Sequence, residues 1–438
     1  MKPVLTVLVV AYYFPPMGGA GVQRALKFVK YFPEFNIRPI VICADELGYV
    51  KDSTQVSEHS SSLEVYRIRS EPFIARLRKG ANLGGIGTGG REASGLSIKS
   101  KFLSKVKSLV LQVYGLVNFP DDKHRWATQA YKRASEILSE TDVDVIFSTA
   151  PPMSVHKVAK KLKEAHGIPW VADFRDFWLL NPTYSMPWFR RVIDQRYENT
   201  ILNSADRVVT VTPGMVDQFQ QQVALPEKVF LVTNGFDEKD FANCELQPSS
   251  EVFFEFLFTG TFYGPTSPRT FLSAMKKLLN EDCEYLDKVR IRFIGNISSG
   301  FLPFVAAFKR EFPDVIQHIS YKPHSEVVGA MMSADALLLV IGGAERSRTI
   351  YTGKIFEYLR AGKPILFVGP ENGDAWNLIS DKQAGLVAAE DDEESILQNI
   401  KKLVDGKFHI ASDVDAGKYE RKILCERLSQ ILENAAGR

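Results

Sequence analysis

The sequence predicts an α/β protein of two Rossmann-like, doubly wound domains that face each other across a cleft. Short, continuous apolar runs alternate with helical patterns along the chain, as expected for parallel strands that are buried on both faces. The 438 residues are too many for one hydrophobic core and suit two α/β domains. The polar stretch 237–250 separates the two series, so we predict domains at 1–242 and 243–416.

The first domain opens with a βαβ unit. Residues 4–10 form a continuous apolar run, which predicts a central parallel strand rather than a signal peptide, because Pro15-Pro16 and a glycine turn follow it. A helix at 22–31 and a strand at 38–44 complete the unit. Further strands are predicted at 143–149, 169–174, 208–211 and 229–232, with helices at 124–139 and 155–166.

The segment 72–118 interrupts this alternation. Residues 80–97 are rich in Gly, Ser and Thr, which is typical of a flexible loop. Residues 98–117 carry an apolar helical stripe, with Lys101, Lys105 and Lys107 lying off it. Two interpretations stay open: a basic amphipathic helix that binds an anionic membrane surface, or a helix that packs on its own domain.

The second domain repeats the pattern. Its predicted strands lie in the stretches EFLFTGTF, VRIRFIGN, ADALLLVIGG, KPILFVGP and AGLVAA, and residues 385–389 form the last of them. In open α/β sheets, ligands bind at the carboxyl ends of the strands, so the turns that follow these runs are candidates for a binding site.

The stretch TGKIFEYLRAGKP, within the second domain, carries the clearest chemistry. Thr352 and Gly353 precede a predicted helix at 354–360, whose free N–H groups and positive dipole end attract phosphate. Glu357 lies one turn into this helix, away from its apolar arc, where its carboxylate could accept hydrogen bonds from a ribose. The pattern predicts a site for a nucleotide diphosphate, and the alternative for Glu357 is a surface pair with Lys354.

Composition excludes several classes of protein. The formal net charge of +2 is nearly balanced and gives no basic field for nucleic acid. The four cysteines have no metal-ligand spacing, which indicates reduced thiols in a cytosol and predicts no metal and no resident cofactor. No apolar stretch reaches the ~18 residues of a membrane span.

Five motifs resemble those of retaining GT-B glycosyltransferases of the family 4-like group. They occur in that group's order along the chain: GGAGVQR, DFRDFW, VTNGFD, FTGTFYG and KIFEYLRAGKPI. The resemblance implies a GT-B fold with an acceptor-binding first domain, a donor-binding second domain and a C-terminal helix in 417–438 that crosses back to the first domain. Thr149 and Thr349 stand where the group has a histidine and a glutamate.

The resemblance also assigns site residues. The glycine turn of Gly18, Gly19 and Gly21 would lie against the donor, and Arg24 would add positive charge. In the second domain, the residues assigned to the donor are Gly260, Thr261, Arg269, Arg346, Arg348, Thr352, Gly353, Lys354 and Glu357.

The charged cluster DFRD follows a strand that has few polar residues. Asp173, Arg175 and Asp176 are the catalytic candidates, and a structural salt-bridge cluster is the alternative. His156 lies one turn into a helix, and we interpret it as a surface or packing residue.

The resemblance implies metal-independent transfer of a sugar, with retention, from a UDP- or GDP-linked donor to a glycan or lipid-linked acceptor. The expected setting is bacterial-type synthesis of cell-surface polysaccharide or glycolipid, in the cytoplasm or peripherally on the inner face of the plasma membrane. Two alternatives stay open: a nucleotide-sugar epimerase on the same fold, and a catalytically inactive binding partner.

Overall fold

A computed structural model describes residues 4–46, 49, 51, 63–70, 118–180, 186–242, 244, 252–320, 322–343, 347–411 and 414–438. The chain divides into two compact units. Among the described residues, the first unit ends at Thr233 and regains Arg421–Arg438, while Asn234–Glu420 form the second. The predicted segment 72–118 lies outside the described residues, apart from Asn118.

The first unit is built on a parallel sheet of seven strands. They are β1 (Leu5–Ala11), β2 (Ile37–Glu46), β3 (Glu64–Ser70), β4 (Val145–Ala150), β5 (Trp170–Phe174), β6 (Arg207–Thr210) and β7 (Val229–Leu231). Their order across the sheet is β3-β2-β1-β4-β5-β6-β7. The order reverses direction between β1 and β4, whose register pairs Val9 with Phe147, and such a switch point is where ligands bind in doubly wound sheets.

Helices cover this sheet. They are α1 (Ala20–Tyr31), α2 (His124–Glu140), α3 (Ser154–His166), α4 (Trp188–Ser204) and α5 (Pro213–Gln220). The C-terminal helix Arg421–Ala435 also belongs to this unit, because Leu424, Leu428 and Leu432 are buried in the same core as β1 and α1.

The second unit has a parallel sheet of six strands in the order β10-β9-β8-β11-β12-β13. They are β8 (Phe254–Thr259), β9 (Val289–Ile294), β10 (Ile316–Ile319), β11 (Ala336–Val340), β12 (Ile365–Val368) and β13 (Gly385–Ala388). The helices are α6 (Glu238–Ala242), α7 (Arg269–Glu281), α8 (Tyr285–Lys288), α9 (Leu302–Glu311), α10 (His324–Ser333), α11 (Lys354–Ala361), α12 (Asp374–Asp381) and α13 (Glu393–Val404); the C-terminal helix is α14. Two separate apolar clusters pack in this unit.

The doubly wound α/β fold class predicted for both series is confirmed by these two parallel sheets. The division between the units falls nine residues before the predicted boundary at 242/243. Phe236 and Phe241 explain the difference, since both are buried in an apolar cluster of the second unit.

Among the elements that were not predicted are two strands, β3 and β10, and the long helix α4. Strand β3 was missed because its residues are mostly half-buried or exposed and do not form a continuous apolar run, as suits an edge strand. The β10 strand is short and contains Gln317 and His318. Helix α4 has charged residues on its buried face, so it lacks the apolar periodicity that identifies helices.

Candidate functional site

The predicted catalytic cluster lies at the carboxyl edge of the first sheet, but Asp173 is enclosed. Its carboxylate accepts hydrogen bonds from Arg24 Nε at 2.9 Å and Arg24 Nη2 at 2.7 Å. The Thr149 hydroxyl donates a third, at 2.6 Å. Asp173 is 0% exposed and Arg24 is 2% exposed, so this is a buried, charge-assisted pair.

Arg24 also donates hydrogen bonds to the backbone after β7. Nη1 donates to the Thr233 carbonyl and Nη2 to the Val232 carbonyl, both at 2.8 Å. The guanidinium therefore joins α1, β5 and the end of β7, and it has almost no exposed surface with which to bind a phosphate. These contacts fit the alternative interpretation of the DFRD motif, in which its charged residues form a structural salt-bridge cluster.

Arg175 joins the same loops from the other side. Its Nε donates to the Ala150 carbonyl at 2.9 Å and Nη2 donates to the Pro151 carbonyl at 2.8 Å. Nη1 donates to the Gly21 carbonyl at the start of α1. Arg175 thus ties the glycine turn to the loop after β4, whereas the neighbouring Asp176 is exposed to solvent.

His156 is a packing residue, as interpreted from the sequence, although it is buried rather than on the surface. Its Nδ1 lies 2.8 Å from the Ser148 hydroxyl and its ring lies 4.4 Å from that of Phe174. Burial lowers the pKa of His156 to about 3, so the imidazole is neutral at ordinary pH.

The glycine turn opens α1. Gly18 is buried, and Gly19 is exposed with φ +93°, a conformation that side chains rarely adopt. A Cβ at Gly21 would meet the ring of Tyr13 at 3.4 Å, which is ordinary contact. The backbone strain in this turn is therefore at Gly19.

In the second unit, the structure brings together Gly260 and Lys354, two residues that the sequence placed 94 positions apart. Gly260 directly follows β8 with φ +119°, and a Cβ there would lie 2.0 Å from Lys354 Nζ. The ammonium also lies 4.7 Å from the centre of the Phe258 ring. Thr261 follows Gly260 in the same turn and is half-buried.

Lys354 has no hydrogen bond or ion pair with any residue that the structure describes. The side chain is half-buried, and burial lowers its pKa to about 8, while the nearby Glu357 opposes this shift. An ammonium removed from water without a partner costs free energy, which a bound anion would recover.

The N-terminus of α11 offers further unused donors. Gly353 caps the helix without a side-chain hydrogen bond and is exposed. The Thr352 hydroxyl oxygen is buried and has no partner among the described residues. Together with Lys354, these groups form a small cluster of donors and positive charge, which suits a phosphate.

Glu357 lies in the first turn of α11, with its side chain 24% exposed. The surface pair with Lys354 is not formed, since no ion pair within 4 Å joins them. Instead, Glu357 Oε1 lies 3.7 Å from Nε2 of His324, which also lies 3.6 Å from Asp240 Oδ2. His324 was not identified from the sequence; its only signal is its position at the start of α10, after β10.

The arginines that were assigned to the donor are not seen to gather around Lys354. Arg269 stacks on Phe301 and Phe304, at 5.6 and 5.5 Å, and no contact joins it to Lys354. Arg348 is exposed, and its carbonyl accepts a hydrogen bond from the Asp374 N–H. Arg346 lies outside the described residues.

A pocket of about 550 Å³ opens at the carboxyl ends of β11, β12 and β13. Its lining residues are Gly343, Arg348, Gly369, Pro370, Glu371, Ala389, Glu390 and Asp391. Glu390 also accepts a hydrogen bond from the Gly343 N–H at 2.6 Å. Three carboxylates with one arginine suit hydroxyl groups better than a second phosphate. No group of His, Cys, Asp and Glu among the described residues could hold a metal ion.

Part of the chain matches a known protein family. Residues 93–240, a third of the chain, match the family Glycosyltransferase Family 4. No curated protein sequence matches the chain. The predicted resemblance to family 4 glycosyltransferases is therefore confirmed over this range.

Solved structures are similar over nearly the whole length. HepE from Anabaena in complex with UDP has a TM-score of 0.63 at 12% identity, over 98% of this chain and 100% of that one. WaaG, a glycosyltransferase involved in lipopolysaccharide biosynthesis, has 0.56 at 13%, over 98% and 99%. Sucrose-phosphate synthase from Thermosynechococcus elongatus has 0.58 at 10%, over 99% and 96%. At these identities the likeness establishes the fold, which is the predicted GT-B glycosyltransferase fold.

Proposed function

We propose that this protein transfers a sugar from a nucleotide-diphosphate donor to a hydroxyl acceptor. The observation that carries the proposal is the half-buried ammonium of Lys354, which has no partner among the described residues and faces the turn at Gly260. The fold and the family match support the class of reaction.

The donor diphosphate would bind at the N-terminus of α11. The Lys354 ammonium, the backbone N–H groups of Gly353 and Lys354 and the Thr352 hydroxyl would then hydrogen-bond phosphate oxygens. Glu357 would accept hydrogen bonds from the ribose hydroxyls, with His324 beside it. The pocket lined by Glu371 and Glu390 would receive hydroxyl groups of the sugar.

In the reaction, the bond between the anomeric carbon and the diphosphate oxygen breaks, and the acceptor oxygen forms the new glycosidic bond. Negative charge grows on the departing diphosphate, and Lys354 with the α11 N-terminus would stabilise it without a metal. With retention by a front-face route, the departing phosphate oxygen takes the proton of the acceptor hydroxyl.

The contacts in the first unit lead us to revise the roles that were predicted for its charged residues. Asp173 and Arg24 act as positioning residues, because their contacts hold α1 and the ends of β5 and β7 in place. Arg175 positions the glycine turn through the Gly21 carbonyl. Of the three predicted catalytic residues, Asp176 is the exposed one, and it would contact a substrate directly.

The setting that we propose is synthesis of a cell-surface polysaccharide or glycolipid. HepE was solved with UDP and with UDP-glucose, and WaaG acts in lipopolysaccharide biosynthesis, so UDP-linked donors are the first to test. The structure contains no helix, among the described residues, that is long and apolar enough to cross a membrane.

A thermal-shift panel tests the proposal, using UDP, GDP, ADP and their glucose or mannose conjugates. A ligand at ~100 times its dissociation constant stabilises by ~2.7 kcal/mol, which for a unit of this size raises the melting temperature by roughly 5–10 °C. In Lys354→Met the shift at the same ligand concentration should fall to roughly half or less, because 10- to 150-fold weaker binding leaves a stabilisation of only ~0.3–1.4 kcal/mol. No shift with any nucleotide would contradict the proposal.

Turnover then separates the alternatives. A transferase releases nucleoside diphosphate from the sugar nucleotide faster when a bacterial lipid extract is added. An epimerase releases free sugar without an acceptor, and an inactive partner binds nucleotide but releases nothing.

A further inference from the structure

Helix α4 has its polar and apolar faces reversed. The ionisable side chains of Arg190, Asp194 and Glu198 are 1–2% exposed. On the outer face, Trp188 is 79% exposed and Ile193 is 48% exposed. A surface helix of a soluble protein normally turns its apolar stripe inward. The reversed arrangement of α4 indicates that another molecular surface covers its outer face.

The inner face is fixed by specific contacts. Arg190 Nε donates to Asp194 Oδ1 at 2.6 Å, and Nη2 donates to the Pro120 carbonyl at 3.0 Å. The guanidinium also lies 5.0 Å from the centre of the Phe119 ring, and the ring of Tyr197 lies 4.7 Å from the same ring. Rotating the helix to bury its apolar residues would leave these charges without partners, which is costly.

The outer face is continuous and apolar. It consists of Met186, Trp188, Phe189, Val192 and Ile193, which are 36–79% exposed. Met186 lies just before α4 and the other four residues lie within its first two turns, where the rings of Trp188 and Phe189 are in edge-to-face contact at 6.0 Å. A contiguous exposed apolar patch with aromatic residues marks an interaction surface.

The charges on this face have one sign. Arg191 and Arg196 are exposed, and neither side chain makes a hydrogen bond or ion pair with a described residue. The acidic side chains of the same turns, Asp194 and Glu198, point inward and are buried. The outer face therefore presents apolar side chains beside unpaired arginines and no carboxylate of its own helix.

We infer that the outer face of α4 binds the surface of a membrane that contains anionic lipids. Trp188 and Phe189 suit the level of the lipid headgroups, where aromatic rings concentrate. Val192 and Ile193 enter the boundary of the acyl chains, and Arg191 and Arg196 pair with anionic headgroups. This places the docking surface on the first unit, outside the segment 72–118, and it does not depend on the proposed donor site.

The test is co-sedimentation of the full chain with vesicles, either of phosphatidylcholine alone or with phosphatidylglycerol added. We expect binding to the anionic vesicles that weakens as salt rises. Trp188→Glu/Ile193→Glu should reduce the partition coefficient at least tenfold, and Arg191→Glu/Arg196→Glu should do the same. Leu225→Glu, at a residue 57% exposed in the same unit but outside α4, is the matched control and should bind like the unchanged protein.

Because the substituted side chains are exposed, the melting temperatures should not change, which separates lost binding from misfolding. Vesicles with brominated acyl chains should quench tryptophan fluorescence in the unchanged protein and not in Trp188→Phe. Absence of binding to anionic vesicles would overturn the inference. Undiminished binding by Trp188→Glu/Ile193→Glu would assign the binding to another segment instead, and a dimer in solution that this variant dissociates would show that the face meets a second copy.

Discussion

Replacing Lys354 with methionine tests the proposed donor site most directly. The substitution keeps the length of the side chain and its contact with the Phe258 ring but removes the ammonium, which has no partner among the described residues. A hydrogen bond to a charged group is worth ~1.5–3 kcal/mol, so Lys354→Met should weaken nucleoside diphosphate binding roughly 10- to 150-fold. The protein without ligand should be no less stable, because the ammonium is partly desolvated and unpaired.

The same residue predicts a pH dependence. With a pKa of about 8, Lys354 is charged below pH 8 and neutral above it. The nucleotide's phosphates are fully ionised above about pH 7, so affinity should fall roughly tenfold between pH 7 and 9 as the free ammonium loses its proton. In Lys354→Met this fall should be absent.

Isothermal titration calorimetry with UDP and GDP at the two pH values measures both effects. Lys407→Met, at an exposed lysine of the same unit, is the control and should bind like the unchanged protein. Unchanged affinity in Lys354→Met, or an equal pH dependence in both proteins, would refute the assignment of Lys354 to the diphosphate.

Three further predictions concern Glu357, Gly21 and Glu198. Glu357→Ala should weaken nucleoside diphosphate binding roughly ten- to a hundredfold in calorimetry, while Glu326→Ala on the neighbouring helix α10 should leave it unchanged; equal affinities would place the ribose elsewhere. Gly21→Val should reduce turnover strongly and shift the melting temperature by only a few degrees, since the added Cβ meets only a Tyr13 ring; full activity would exclude a close approach, and Gly19→Val is less informative because its φ of +93° adds strain. Burial raises the pKa of Glu198 to about 7 from its ordinary 4.5, so the neutral form is favoured in the folded protein. Stability should therefore fall by roughly 3 kcal/mol as pH rises from 4.5 through 7, and chemical denaturation of Glu198→Gln should show a smaller loss; an identical loss would mean that another group causes it.

The fold followed from the sequence because buried parallel strands leave a local signal. The central strands are largely apolar runs bounded by glycine or polar turns: β11 and β12 are wholly apolar, and β1, β4 and β5 contain only one or two polar residues each. The helix α11 was also predicted to within one residue of its end, since its apolar arc and the Gly362 cap are local features. Edge strand β3 and helix α4 were missed, because neither has the expected apolar pattern.

The sequence by itself also identified Thr352, Lys354 and Glu357 as a group, because all three lie within six residues at the N-terminus of one short helix. The sequence could not determine which charged side chains are buried and paired with one another inside the protein. Arg24 and Asp173 are separated by 149 positions, and only the packing of α1 against β5 and β7 makes them a buried pair rather than a binding cation and a catalytic carboxylate. Likewise, only tertiary contacts with Phe119 and Pro120 turn the charged side of α4 inward and leave Trp188 in solvent. Local periodicity specifies elements, whereas the partners of a charged side chain come from distant parts of the chain and depend on how those elements pack.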